Sequence, residues 1–283
     1  MLPDDRPSVP GLPDEWESFA ARNDRFLEEF EALKVAVNRA FEGTPTMSSE
    51  PCFVIYALVR QVAQDYAEVI LLAANGYGLA AKKVLRGMYE RLVTARWLHS
   101  HPGETDRFLA WELVQRAKLA QSFLEGFEDT LDEARKKHLR DVVAEAKPAR
   151  AQFMVTDCKK CGTQRLNYTW ASLDFVAMAK AVGDNTSSWL GPAYYEPLNY
   201  IHASAVSLGK LLEDRGDVFA FRGVHRADAD QALGLGHYLV LNALDLIREI
   251  AEDPKLDEAL RIAFESYQRV CASKAGSDGQ AGV

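Results

Sequence analysis

Arg86 and Glu90 stand one helical turn apart in the stretch Leu85-Arg86-Gly87-Met88-Tyr89-Glu90-Arg91-Leu92-Val93. That spacing lets a guanidinium and a carboxylate pair along one helix face. The neighbours Leu85, Met88, Tyr89, Leu92 and Val93 are apolar, so the pair is expected to be at least half buried. Desolvation offsets most of the attraction within a buried pair. Three readings follow: an internal tie between helices, a binding or catalytic cluster, or an exposed pair. Further along, Tyr195, Leu198, Asn199, His202, Ala205 and Val206 share one face of another apolar helical stretch. Asn and His on an inner face need hydrogen-bond partners, and Arg86 and Glu90 can supply them if the two helices meet. Arg86, Glu90, Tyr195, Asn199 and His202 therefore form a candidate polar cluster with acid/base or anion-binding capacity. The plainer reading of His202 is a satisfied core histidine.

A second chemistry-bearing feature is Cys158-Lys159-Lys160-Cys161-Gly162. A C-x-x-C pair followed by Gly has the shape of half a zinc site, in which backbone N–H groups turn toward two thiolates. Zinc takes four ligands, and no second C-x-x-C is present. His138, Cys52, Cys271 or the same pair from a second subunit would have to complete a site at Cys158 and Cys161. A redox dithiol and an unliganded loop are the alternatives. Without metal, the loop is expected to pack Phe153, Leu166, Tyr168 and Trp170 inward. No motif requires a cofactor, and zinc is the one metal the residues suggest. Arg96 to His101 fits the R-x4-6-H spacing of helical ribonucleases, but about one such match is expected by accident, and Trp97 stands where that pattern has a polar residue. Asn75-Gly76-Tyr77-Gly78 has no strand before it and reads as a turn between helices. H-E-x-x-H and E-x-x-H pairs are absent from the sequence.

The elements that would position these residues show helical spacing nearly throughout, with few β-branched alternations. Helices are expected at about 14–41, 51–74, 79–99, 104–127, 131–146, 172–182, 194–214, 227–251 and 256–270. The first should carry Trp16, Phe19, Phe26, Phe30, Leu33 and Val37 on its inner stripe, and Pro148 should stop the fifth. The short turn after 74 returns the helix at 79–99 antiparallel against its predecessor. The fold class is all-α, a single bundle of about eight or nine helices, centred on 51–74, 79–99, 104–127 and 194–214. Residues 1–12 should be an irregular arm, 13–271 the helical domain with an irregular insertion at 153–169, and 272–283 a frayed tail. No repeat period appears, which argues against a solenoid.

Composition limits the function classes. The chain of 283 residues is 48% hydrophobic and 26% charged, an ordinary globular balance. Its formal charge of −8 argues against a dedicated nucleic-acid clamp, since phosphate binding needs a basic field. RNA stays open as a partner without support from net charge. The most apolar stretch, Phe53 to Ala74, is interrupted by Arg60, Gln61, Gln64, Asp65 and Glu68, so no membrane span is expected. The opening MLPDDRPSVPGLPDEW has neither a basic n-region nor an apolar h-region. With four cysteines read as reduced thiols, the chain is expected to be cytoplasmic.

At these residues the chain resembles a bacterial family of helical proteins filed as a domain of unknown function. That family shows a helix of the form L-R-x-x-x-E followed by an apolar, aromatic run, here Leu85-Arg86-Gly87-Met88-Tyr89-Glu90 with Leu92, Val93 and Trp97. It then shows a Trp, a small helix ending in Gly, a Tyr pair, and a polar residue shortly before a His. The matching positions are Trp170, Ala179 to Gly183, Tyr194, Tyr195, Asn199 and His202, over about residues 50 to 215. Asn199 stands where the family pattern has Ser. The family carries no agreed activity, and it is only distantly similar to the HEPN-type helical nucleases, some of which look like toxin or phage-defence components. The first reading is a component of bacterial defence or stress response, the setting that the resemblance implies, acting by binding through a polar pocket between the helices at 79–99 and 194–214. A metal-independent ribonuclease using His202 and Arg86, and a structural or homo-oligomerising subunit, are the alternatives. Ligand and partner are not specified by any of the three.

Overall fold

A turn at Asn75–Tyr77 joins two long helices and also pins the start of a third, through the His225 amide on the Gly76 carbonyl. The computed structural model describes residues 12–42, 49–157, 160–202, 204–214, 219–221, 223–251 and 253–278. In chain order the helices are α1 Pro13–Arg22, α2 Asp24–Phe41, α3 Glu50–Ala74, α4 Gly78–Ser100, α5 Thr105–Gly126, α6 Glu133–Glu145, α7 Lys147–Ala151, α8 Phe175–Ala181, α9 Asp184–Ser187, α10 Glu196–Ile201, α11 Ala205–Leu211, α12 Arg226–Ala251 and α13 Pro254–Asp278. Two antiparallel hairpins accompany them, β1 Met154–Thr156 with β2 Gln164–Leu166, and β3 Leu212–Asp214 with β4 Phe219–Phe221. A π-helical turn, Leu190–Tyr195, leads into α10. The fold is all-α. No helix among the described residues is long and apolar enough to cross a membrane.

Among the described residues thirteen helices stand where about eight or nine are expected, because several of the expected ones break. The first breaks at Asn23, whose side-chain amide donates to the Phe19 carbonyl at 3.1 Å and to Asp230 Oδ1 at 2.9 Å. The break re-phases the stripe. Glu15 and Phe19 point inward on α1 while Trp16 is exposed, and Phe26 and Leu33 are buried on α2. Pro148 does not stop the chain either; it sits in the first turn of α7, where its fixed φ and missing N–H are tolerated. The expected helix at 194–214 is π-turn, α10, α11 and β3 in succession. Its break follows His202, which is extended, and Ser204 caps a new helix by accepting from the Ser207 amide at 3.1 Å. Such a cap satisfies a donor that the first turn leaves orphaned.

The chain packs as two compact units, Met1–His99 with Ala179–Val283, and Ser100–Met178. In the first unit α12 is central, in place of the expected 194–214 and 104–127 helices. It lies along α3, and α13 lies along α2. Gly236 of α12 allows the approach to α3, since a Cβ there would fall 2.6 Å from the Tyr66 ring. Tyr66 is itself held by donating to the Leu233 carbonyl at 3.0 Å.

In the second unit the insertion expected to be irregular forms the β1–β2 hairpin. Phe153 is fully buried against Trp111, ring centroids 4.7 Å apart, and Trp170 packs on Phe108 at 5.1 Å. Arg107 Nε ties the segment by donating to the Trp170 carbonyl at 2.7 Å. Tyr168 does not turn inward as expected. It is 80% exposed, with the Arg165 guanidinium over its ring at 4.4 Å. Apart from Leu12, the arm expected at 1–12 lies outside the described residues, as do 279–283; α13 runs through the start of the expected tail to Asp278.

Candidate functional site

The site begins with backbone geometry at the turn before α4. Gly76 has φ +73, a left-handed value that glycine adopts without penalty. Its carbonyl accepts from the His225 amide at 2.8 Å. At Gly78 a Cβ would lie 2.2 Å from the His225 carbonyl oxygen and 2.5 Å from the Ala229 nitrogen. Only glycine lets the start of α12 sit this closely on the start of α4. This approach brings Lys82, one turn into α4, to Asp228 in the first turn of α12.

Lys82 is 1% exposed. Its ammonium donates to Asp228 Oδ1 at 2.7 Å and to Glu196 Oε1 of α10. Tyr200, one turn after Glu196, donates its hydroxyl to the same Glu196 oxygen at 3.3 Å. Lys210 Nζ of α11 lies 3.7 Å from Asp228 Oδ1, and His225 Nδ1 lies 3.9 Å from Asp228 Oδ2. A buried ammonium without partners would be strongly unfavourable, and two carboxylates remove that penalty. Burial alone would raise the Asp228 carboxyl, but the hydrogen bond and charge of Lys82, with the charges of Lys210 and His225, outweigh it and hold it below its ordinary value. The Tyr200 hydroxyl is pushed up to about 12 by burial and by the Glu196 and Asp228 charges, so it stays a donor.

Beside this network is a cavity of about 240 Å³. Tyr77, Leu79 and Lys83 line one wall, Tyr200, Ser207 and Leu211 another, and Gly223 and His225 close it from the segment before α12. Tyr77 and Lys83 are exposed, so the cavity opens to solvent past them.

The residues singled out by sequence are only partly assembled. Arg86 Nε and Glu90 Oε1 pair at 2.8 Å, as the spacing predicts, but the two side chains differ in exposure, 17% for Arg86 and 42% for Glu90. Glu90 opens to solvent because it lies at the edge of the packed face. The Arg86 guanidinium stacks on Tyr194 at 4.5 Å to the ring centroid. Tyr195 is 49% exposed and meets Tyr194 edge-on at 5.4 Å. Asn199 and His202 are exposed. Among the described residues neither hydrogen-bonds or ion-pairs with Arg86 or Glu90. The helix at 79–99 does meet the 194–201 segment, through Arg86 with Tyr194 and Lys82 with Glu196. The face of α10 turned inward carries Glu196 and Tyr200, one turn apart, in place of Asn199 and His202.

Lys82, Glu196, Tyr200, Asp228, Lys210 and Ser207 were not singled out. A signal for Lys82 exists in Lys82, Arg86 and Glu90 at successive i, i+4 positions. Of the candidate metal ligands, Cys158 lies outside the described residues. Cys161 is exposed, its Sγ 2.8 Å from Thr163 Oγ1, and His138 is exposed on α6. Among the described residues no group of three His, Cys, Asp or Glu is placed to hold a metal.

No significant similarity to a curated protein or to a solved structure was found. Residues 53–219 match the family described as Family of unknown function (DUF5677), a stretch that holds Lys82, Arg86, Glu90, Glu196, Tyr200 and Ser207 but ends before His225 and Asp228. That match covers more than half of the chain, and the chain belongs to this family of unknown function.

Proposed function

We propose that the protein acts by binding, taking a small polar ligand into the cavity between α4 and α10–α11, as a component of a bacterial defence or stress response. The observation that carries the binding reading is the solvent-open cavity of about 240 Å³, with Tyr200 shared between its wall and the Lys82 network. A pre-formed, partly polar concavity on rigid helices is the usual form of a small-molecule site. The defence or stress setting rests on the resemblance to helical-nuclease relatives alone, which is analogy.

The test is co-purification of small molecules from a bacterial metabolite extract, identified by mass spectrometry. Gly223 lines the cavity, and a Cβ on it would meet nothing within 4 Å, so Gly223→Phe puts a ring into the space without replacing any charged residue of the network. Wild type should retain at least one compound that Gly223→Phe does not. Identical retention by both proteins would sink the cavity as the binding site.

One observation favours a structural reading beside this one. Lys82, Glu196 and Asp228 satisfy one another within the chain, as a cluster that only fixes packing would. The two readings diverge at the cavity, because a packing device has no use for an opening beside it.

A further inference from the structure

The charges around the cavity do not cancel on its wall. Lys82 and Lys210 face Glu196 and Asp228, two cations against two carboxylates. Neither carboxylate lines the cavity, and no other Asp or Glu does among the described residues. Lys83, which does line it, forms no hydrogen bond or ion pair among the described residues. The Ser207 hydroxyl lines it too, and likewise has no partner among them; only the Ser207 amide is used, in the cap by Ser204. The Tyr200 hydroxyl is a donor, already committed to Glu196. Among the described residues the wall therefore offers an ammonium and a hydroxyl donor with no carboxylate beside them on it, in a chain whose formal charge is −8. A cationic wall against an acidic background concentrates anions locally.

Size narrows the class. A cavity of about 240 Å³ lies below the ~300–1,000 Å³ of drug-sized sites and corresponds to roughly eight water volumes at ~30 Å³ each. Tyr77, Leu79 and Leu211 give the remaining wall an apolar surface suited to a ring.

We infer that the cavity takes a small anion, a single apolar ring bearing one carboxylate or phosphate group, with Lys83 and Ser207 as its recognition residues. This rests on the cavity being the binding site proposed above. Lys83 supplies the charge and Ser207 a hydrogen bond, while Lys82, Glu196 and Asp228, which do not line the cavity, hold its walls in register. A cationic or neutral ring of the same size gains nothing from Lys83.

The experiment is a ligand-observed NMR titration of the full chain with four probes: benzoate, phenyl phosphate, benzamide and benzylamine. Benzoate or phenyl phosphate should show saturable binding at least tenfold tighter than benzamide and benzylamine. Which anion binds better separates a carboxylate from a phosphate source. Lys83→Met keeps the alkyl stem of an exposed residue, so the fold and melting temperature should hold, and it should weaken the anion at least tenfold while leaving benzamide unchanged. Gly223→Phe should abolish binding of every probe. Benzamide or benzylamine binding as tightly as the anions, or anions unaffected by Lys83→Met, overturns the anion assignment; the cavity reading survives if Gly223→Phe still blocks. Probes that bind equally to Gly223→Phe defeat the cavity reading and this inference with it. No saturable binding of either anion overturns the inference.

Discussion

Lys82 Nζ and Asp228 Oδ1 meet at 2.7 Å across 146 residues of sequence, at a lysine that is 1% exposed. This bond and the one to Glu196 tie the starts of α4, α10 and α12 together beside the cavity, whose walls come from α4, α10, α11 and the segment before α12. The stability of the first unit should accordingly depend on Lys82 more than on any surface charge.

Lys82→Met leaves Asp228 facing Glu196 without a cation between them. Removing one partner of a buried ionic cluster typically costs about 3 to 5 kcal/mol, and urea unfolding should read a loss in that range. Combining Lys82→Met with Asp228→Asn and Glu196→Gln removes the stranded charges, and should recover at least half of the loss. A single variant as stable as wild type would show that the network is solvated.

The glycines of α12 give opposite expectations for the same substitution. At Gly234 a Cβ would meet nothing within 4 Å, so Gly234→Ala should stabilise by up to about 1 kcal/mol through helix propensity. At Gly236 it would fall 2.6 Å from a Tyr66 ring that is buried and hydrogen-bonded. Overpacking of that kind costs about 1 to 3 kcal/mol, so Gly236→Ala should lower the melting temperature. Equal effects at both positions would refute the packing of α12 on α3.

His237 makes stability depend on pH. It is 1% exposed, ringed by Phe26, Tyr66 and Tyr267, and neither of its nitrogens has a hydrogen-bond partner among the described residues. Burial holds its pKa down, to about 4 against an ordinary 6.5. The unfolded chain therefore takes up the proton first as pH falls, and stability drops between about pH 6.5 and pH 4, by about 3 kcal/mol in all. His237→Leu should flatten this slope. Carboxylates held low, such as Glu29 at about 2 through its bonds to Arg269 and Ser266, lose their contribution from about pH 4.5 downward and overlap only the foot of this window. A wild-type stability curve that is flat from pH 7 to 4 would disprove the role of His237.

Arg86 and Glu90 should be unequal in mutation. Glu90 is 42% exposed, and exposed pairs contribute about 0 to 1 kcal/mol, so Glu90→Ala should change stability by less than about 1 kcal/mol. Arg86→Ala also removes the stack on Tyr194, worth about 0.5 to 2 kcal/mol, and should be the more damaging of the two. The reverse order in a thermal melt would mean that Glu90 becomes buried in solution.

By itself the sequence determined what depends on near neighbours along the chain. Helical periodicity from Glu50 to Ala74, Gly78 to Ser100 and Arg226 to Ala251 is a local property, and so is the Arg86–Glu90 pairing at one turn. Tertiary structure decided which face of each helix meets which. Tyr195, Asn199 and His202 share a face of an ideal helix as well as Glu196 and Tyr200 do, and nothing in their spacing says that the second set turns toward Lys82. That choice follows from the close approach at Gly78, which places α12 on α4, and from the break after His202, which ends α10. The first is a contact between residues far apart in the chain, and the second a break followed by the helix that Ser204 caps. Periodicity fixes angles around a helix axis, but the energy of bringing two axes together is set by what each face finds opposite it.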